Sequence, residues 1–275
     1  MSTISTTFEA RMSEMLLTSI CLIPVVMGLL SCLLRTQRAL SAIDILGTGA
    51  ILGVSSALSV HIAAHGPLRY GFLYIDDLSV LFLLIIGLLG LATAIYSVRW
   101  LELAVADGEF PARHLWAYSL LMDVFLVTMI LTVTVDNLGV LWISMEGTTI
   151  ASALLVGFRG RQNSLEAAWK YIIVTTVGIT FGLFGTVLFY AAAVDAGGLS
   201  EGDLNWTSLV AIADKLDPNI VRIAFVFVFI GYGTKAGLAP MHAWLPDAHS
   251  EAPSPVSALL SGALLKCAIF ALLRF

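Results

Sequence analysis

The stretch Asp77-Leu-Ser-Val-Leu-Phe-Leu-Leu-Ile-Ile-Gly-Leu-Leu-Gly-Leu-Ala-Thr-Ala-Ile-Tyr-Ser-Val-Arg-Trp100 decides the fold class. Between Asp77 and Arg99 its only titratable side chain is Tyr96. A helix of about 20 such residues crosses a hydrocarbon core about 30 Å thick. A barrel strand would need only about ten residues and would alternate apolar with polar positions, which this stretch does not do. Working outward, similar runs lie at about 13–34, 42–64, 115–135, 138–158, 166–194, 220–244 and 254–275. Connections such as Arg35–Ser41 and Phe158–Leu165 are short, so neighbouring helices run antiparallel. The expectation is an all-α, polytopic transmembrane bundle of about eight spans. Two wider gaps remain, His65–Asp77 and Asp195–Asn219. The second carries five acids and is expected to face solvent, with a short amphipathic turn around Trp206–Ala213.

Composition supports this reading. Of 275 residues, 59% are hydrophobic and 12% charged, about half the charged share of soluble domains. Disordered chains, disulfide scaffolds, collagens, coiled coils and basic nucleic-acid modules are excluded together. The net charge of −5 says little, because so few charges contribute to it. Cys21, Cys32 and Cys267 are scattered without a CxxC pair, so they read as small apolar fillers. The segment before Glu14 has neither a basic start nor a clear cleavage site, so the first run is expected to be retained as a span. The last run reaches Arg274–Phe275, which suggests a piece of a longer protein. Placing the N-terminus outside puts Arg35, Arg38, Arg99, Arg113, Arg159 and Arg161 in the inner loops. Arg11, Arg69, Lys215, Arg222 and Arg274 then lie outside, a weak bias that favours this orientation.

Ionisable residues inside apolar runs cost about 2.5–3.5 kcal/mol each at mid-membrane, so those that persist are the candidates. Glu146 lies well inside the fifth run, Lys170 near the start of the sixth, Lys235 in the seventh and Lys266 in the eighth. Asp123 sits in the fourth run and Asp44 near the start of the second. A static Glu146–Lys pair that only fixes packing is one reading. A proton relay is the other, since burial weakens a lysine's hold on its proton and a nearby carboxylate restores it. The seventh run carries Gly231-Tyr-Gly-Thr-Lys-Ala-Gly-Leu-Ala-Pro240, which predicts a helix broken around Gly237 and Pro240. Such a break either lines an ion site or merely kinks the helix for packing. Beyond it, Met241-His-Ala-Trp-Leu-Pro-Asp-Ala-His-Ser-Glu-Ala-Pro-Ser-Pro255 reads as a rigid re-entrant turn whose His249 can pass protons between water and the buried amines. The spacing fits no metal signature, and His61 and His65 read as a helix end, so no metal is expected.

The stretch from Lys235 to Leu260, with Trp142-Ile-Ser-Met-Glu146 and Ala168-Trp-Lys-Tyr171, resembles the antiporter-like subunits of NADH–quinone oxidoreductases and Mrp sodium/proton antiporters. Met145–Phe158 and Leu259–Ala268 resemble most the component F membrane proteins of hydrogenase-4 complexes. The likeness is tight from about Asp136 onward and looser before, where Ile75-Asp-Asp-Leu-Ser79 fits the family's third-helix start. It implies a fold of about fourteen helices built from two inverted repeats. Residues 1–114 would hold three leading helices and 115–275 the first repeat. Glu146 and Lys235 would be the coupled ion pair, Lys170 and Lys266 its continuation, and His249 its link to solvent. The implied function is proton translocation in a hydrogenase-4 or NADH-dehydrogenase-like complex, with a stand-alone Mrp-type antiporter as the alternative. The implied partners are the bilayer of the inner membrane and the other proteins of such a complex, with no nucleic acid. With no cysteine cluster, Rossmann glycines or paired haem ligands, no cofactor is expected in this chain.

Overall fold

The computed structural model describes residues 2–197 and 202–275, with side chains from residue 14 onward in the first helix. Helices α1 (Ser2–Leu33), α2 (Gln37–His65), α3 (Asp77–Ala106), α4 (Leu115–Thr134), α5 (Leu138–Val156) and α6 (Gln162–Asp195) follow one another along the chain. After them come α7 (Trp206–Ala211), α8 (Pro218–Ala236) and α9 (Leu245–Glu251). The last rod joins α10 (Ser254–Leu259), a π-helical turn (Leu260–Leu264) and α11 (Leu265–Arg274). Among the described residues eight helical segments are long and apolar enough to cross a membrane. Their limits lie close to the expected runs except in the seventh, which ends at Ala236. The protein is a multi-pass membrane bundle whose spans are all helical.

Local chemistry sets the boundaries. Asp76 caps α3 by accepting the Ser79 N–H at 2.9 Å, and Asn137 caps α5 by accepting from Gly139 and Val140. Asp217 caps α8, with Pro218 in the first helical turn where its missing N–H costs nothing. The 65–77 gap is not only a loop. Leu68–Tyr70 (β1) and Leu73–Ile75 (β2) form a small antiparallel hairpin turned by Gly71 at φ 59°. The short helix expected around Trp206 is α7.

Antiparallel packing sorts the turns into two faces. On one, Glu109 takes Arg159 at 2.9 Å and Arg161 at 3.8 Å, and Arg159 also reaches the Glu251 carbonyl. On the other, Arg274 grips Asp76 through two hydrogen bonds of 2.7 and 2.8 Å. There Asp136 takes Arg69 at 3.2 Å and accepts from the N–H and hydroxyl of Thr207. Between the faces, α6 packs most extensively on α8, and α2 on α3. The α6–α8 seam is lined by small residues. A side chain at Gly231 would press on the Gly182 backbone, with its Cβ 2.5 Å from Gly182 Cα. One at Gly185 would lie 2.6 Å from the Ala224 carbonyl. These glycines let two backbones touch, as small residues commonly do between membrane helices.

Candidate functional site

The seventh span stops earlier than its apolar run suggests. Gly237 adopts the left-handed conformation at φ 73°, its N–H reaching the Thr234 carbonyl while the Leu238 N–H takes the Gly233 carbonyl. This is a Schellman stop, and glycine makes it because the conformation has no room for a Cβ. Pro240 is not the breaker. It stands beyond the last helical residue, Ala236, where it bars the helix from resuming. Gly231 and Gly233 lie within the helix, and Gly231 serves contact with α6 rather than the break. The expected re-entrant turn contains a helix of its own, α9, and Trp244 just before it donates its indole N–H to the Thr234 carbonyl at 2.9 Å. The Thr234 carbonyl thus accepts twice, from the Gly237 N–H and from the indole, which ties Trp244 to the break.

Lys235 occupies the last turn of α8 and is fully buried. Its ammonium donates to Thr149 Oγ1 at 2.6 Å and to the Tyr171 hydroxyl at 2.7 Å. It also lies 5.0 Å from the Tyr171 ring centre. The negative end of the α8 dipole favours a cation at this position. Tyr171 is itself fully buried, shares a 2.8 Å hydrogen bond with Ser152 and packs on Trp244 with ring centres 4.7 Å apart. Three helices and the break therefore converge on one amine, and its direct partners are neutral.

Glu146 lies on the same face of α5 as Thr149, one turn earlier. It is half-buried, and one oxygen accepts the Thr176 hydroxyl at 2.8 Å while the other is buried without a hydrogen-bond partner. It makes no direct ion pair with Lys235 among the described residues. The arrangement is thus a carboxylate and an amine held apart by a hydroxyl cage, not a closed salt bridge. A carboxylate with one idle oxygen has hydrogen-bonding capacity left for a second position.

The other expected amines are placed differently. Lys170 is half-exposed near one end of α6 and is held by Glu166 at 2.8 Å and Asp247 at 3.1 Å. It therefore has its own counter-charges, and the expected row of buried amines reduces to Lys235. Lys266 is exposed on this chain and donates to the Ser261 carbonyl at 2.8 Å, within the π-helical turn. That turn, closed by Leu265 N–H to Leu260 O, carries no signal in the apolar pattern. His249, half-buried on α9, shares a 2.7 Å hydrogen bond with Ser257, and its Nε2 is buried without a partner. Burial lowers its proton affinity, so the ring is held neutral at neutral pH. An open polar groove of about 310 Å³ runs past it from Arg159 to Ser261. Tyr171, Thr149 and Trp244 escaped the sequence reading, because a hydroxyl or indole in an apolar run is ordinary until its partner is known.

Residues 135–275 match the family described as NADH:quinone oxidoreductase/Mrp antiporter, transmembrane. A hydrogenase-4 component F homolog of Methylacidiphilum infernorum (isolate V4) is 42% identical over 74% of this chain and 43% of its own length. The fold is similar to that of a chain from an archaeal membrane-bound sulfane sulfur reductase, with a TM-score of 0.77 and 22% identity over 95% of this chain and 52% of the other. A chain of the Mrp complex from Dietzia sp. DQ12-45-1b gives the same TM-score and identity over 96% and 48%. The chain spans about half the length, or less, of the relatives it matches.

Proposed function

Because the chain belongs to the NADH:quinone oxidoreductase/Mrp antiporter transmembrane family, we propose that it is a proton-translocating membrane subunit of a hydrogenase-4 or NADH-dehydrogenase-like complex. Redox chemistry in partner subunits would supply the drive. One observation carries this reading: a fully buried ammonium bonded to two neutral hydroxyls, with the half-buried Glu146 carboxylate one helical turn from Thr149 and not in contact with the amine. A closed ion pair would hold its proton fast, whereas this geometry lets a small displacement of Glu146 change how firmly Lys235 holds it. One pKa unit corresponds to about 1.4 kcal/mol. Moving one charge through 100 mV requires about 2.3 kcal/mol. A swing of a few units is therefore the size that pumping requires.

In this reading Lys266 carries the proton onward from Lys235, and Lys170 with Asp247 forms the polar end of the route. His249 connects the relay to water through the groove beside Arg159. Residues 1–114 act as leading helices and 115–275 as the first transport unit. The face bearing Arg113, Arg159 and Arg161 is the inner one, which places the N-terminus outside the inner membrane.

The test is proton uptake by vesicles holding the complete complex. Lys235→Ala abolishes pumping while electron transfer continues, and unchanged pumping in that variant refutes the assignment. Sodium-dependent proton flux without any redox substrate would instead mark a stand-alone cation/proton antiporter.

A further inference from the structure

Away from Lys235, a half-buried and a buried acid meet between α1, α2, α3, α4 and α10. Asp123 is 1% exposed and accepts the Ser31 hydroxyl at 3.0 Å. Asp44, on α2, accepts the Ser119 hydroxyl at 3.0 Å, and its other oxygen is fully buried with no hydrogen-bond partner. Both carboxyls line one narrow cavity of about 20 Å³, room for a single water. The remaining polar groups on its walls are engaged elsewhere. The Thr48 hydroxyl bonds the Asp44 carbonyl, and Ser97 faces the Tyr118 hydroxyl at 3.5 Å.

The charge balance is the informative feature. Facing the pair are Met27 from α1, Ser97 from α3, Tyr118 from α4 and Leu259 from α10, none of them a cation. Neither aspartate takes part in an ion pair among the described residues. Two carboxylates around one water-sized space, in a low-dielectric interior and without a counter-charge, repel one another and each lose hydration. Such a pair resolves the conflict by retaining a proton, as two adjoining carboxyls do in other buried dyads.

We propose that Asp44 and Asp123 form a second protonation site, a carboxyl–carboxylate dyad that holds one proton at neutral pH around one water-sized space. The proton comes from bulk water and takes the pair from two negative charges to one. Placed on the idle Asp44 oxygen, it makes that oxygen a donor toward the shared space. The cavity also touches Leu259, the residue before the π-helical turn that leads to Lys266. A change of charge on the dyad is therefore felt next to the span that bears Lys266.

The experiment is infrared difference spectroscopy on the full-length protein in lipid nanodiscs, in H2O and D2O, with sodium chloride or choline chloride. The wild type is expected to show a protonated-carboxyl C=O band at neutral pH that shifts in D2O. The band should vanish in both Asp44→Asn and Asp123→Asn and persist in Glu146→Gln. Asp123→Asn should keep its melting temperature within a few degrees, because the amide oxygen still accepts from Ser31. If Asp123→Asn does not fold, Asp44→Asn reads the same cavity. Absence of any protonated carboxyl in the wild type overturns the proposal without reference to a variant. So does a band lost on adding sodium but kept with choline, which would mean that a metal cation replaces the proton, and so does a band lost only in Glu146→Gln.

Discussion

Adding one methyl group at Gly231 tests whether close contact between α6 and α8 holds the Lys235 cage together. An alanine Cβ there would stand 2.5 Å from Gly182 Cα and 3.0 Å from the Gly178 carbonyl, and nearer still to Gly182 N. These are backbone atoms that no rotamer change can move. Ordinary van der Waals contact begins at 3.4 Å, so the helices must part by about 1 Å locally. Overpacking of this kind costs about 1–3 kcal/mol. The same displacement stretches the 2.7 Å bond between Lys235 on α8 and Tyr171 on α6 past useful length. Gly231→Ala should therefore lower the unfolding midpoint in detergent and slow proton uptake by the intact complex. Gly53→Ala is the matched control, since its Cβ meets nothing within 4 Å on an exposed face of α2. Alanine's better helix propensity should leave that variant unchanged or more stable by up to about 1 kcal/mol. A Gly231→Ala protein as stable and active as the wild type refutes the view that backbone contact along this seam positions the lysine.

Three further outcomes follow from the geometry. Tyr171→Phe keeps the packing on Trp244 but removes one acceptor of the Lys235 ammonium and the partner of Ser152, so unfolding in mixed detergent should show a loss of about 1–3 kcal/mol. Arg274→Gln leaves Asp76 half-buried without its guanidinium, a loss of about 3 kcal/mol readable as a lower melting temperature. Burial alone would raise the Asp76 carboxyl, but the Arg274 hydrogen bonds and the Ser79 N–H outweigh it and hold it below the usual range. Its stabilising effect is thus complete above about pH 4 and fades as pH falls further, and an acid titration of Arg274→Gln should show a weaker slope there. His249 is depressed by burial, so the unfolded chain binds its proton first and stability should drop as pH falls below about 6.5. In His249→Gln that part of the pH–stability slope should disappear, and a slope identical to the wild type's would count against a buried neutral ring.

The parts of the molecule that read clearly from the sequence rest on solvent. A run such as Asp77–Trp100 has to lie in hydrocarbon, and short turns leave only antiparallel neighbours, so span number and limits follow from composition and periodicity. Gly237 was legible as part of a break because glycine's freedom at positive φ is a local property. The cause of the stop was not, since the bonds from Gly237 and Leu238 to carbonyls in α8 close only once the helix has formed. The hairpin at 68–75 was also missed, because strands of three residues carry too little alternation to register.

The distinction between Lys170, Lys235 and Lys266 marks the limit most sharply. All three sit in apolar runs, and a one-dimensional pattern assigns them alike. Burial is a property of the face each side chain presents after packing. α6 turns Lys170 toward Glu166 and Asp247, α11 turns Lys266 outward, and α8 alone aims its amine into a hydroxyl cage. The chain by itself determined that charges would be carried into a membrane, because hydropathy is additive along the sequence. Which charge lost its water, and which neighbours replaced it, was decided only by tertiary structure, because desolvation depends on atoms brought together from distant positions in the chain.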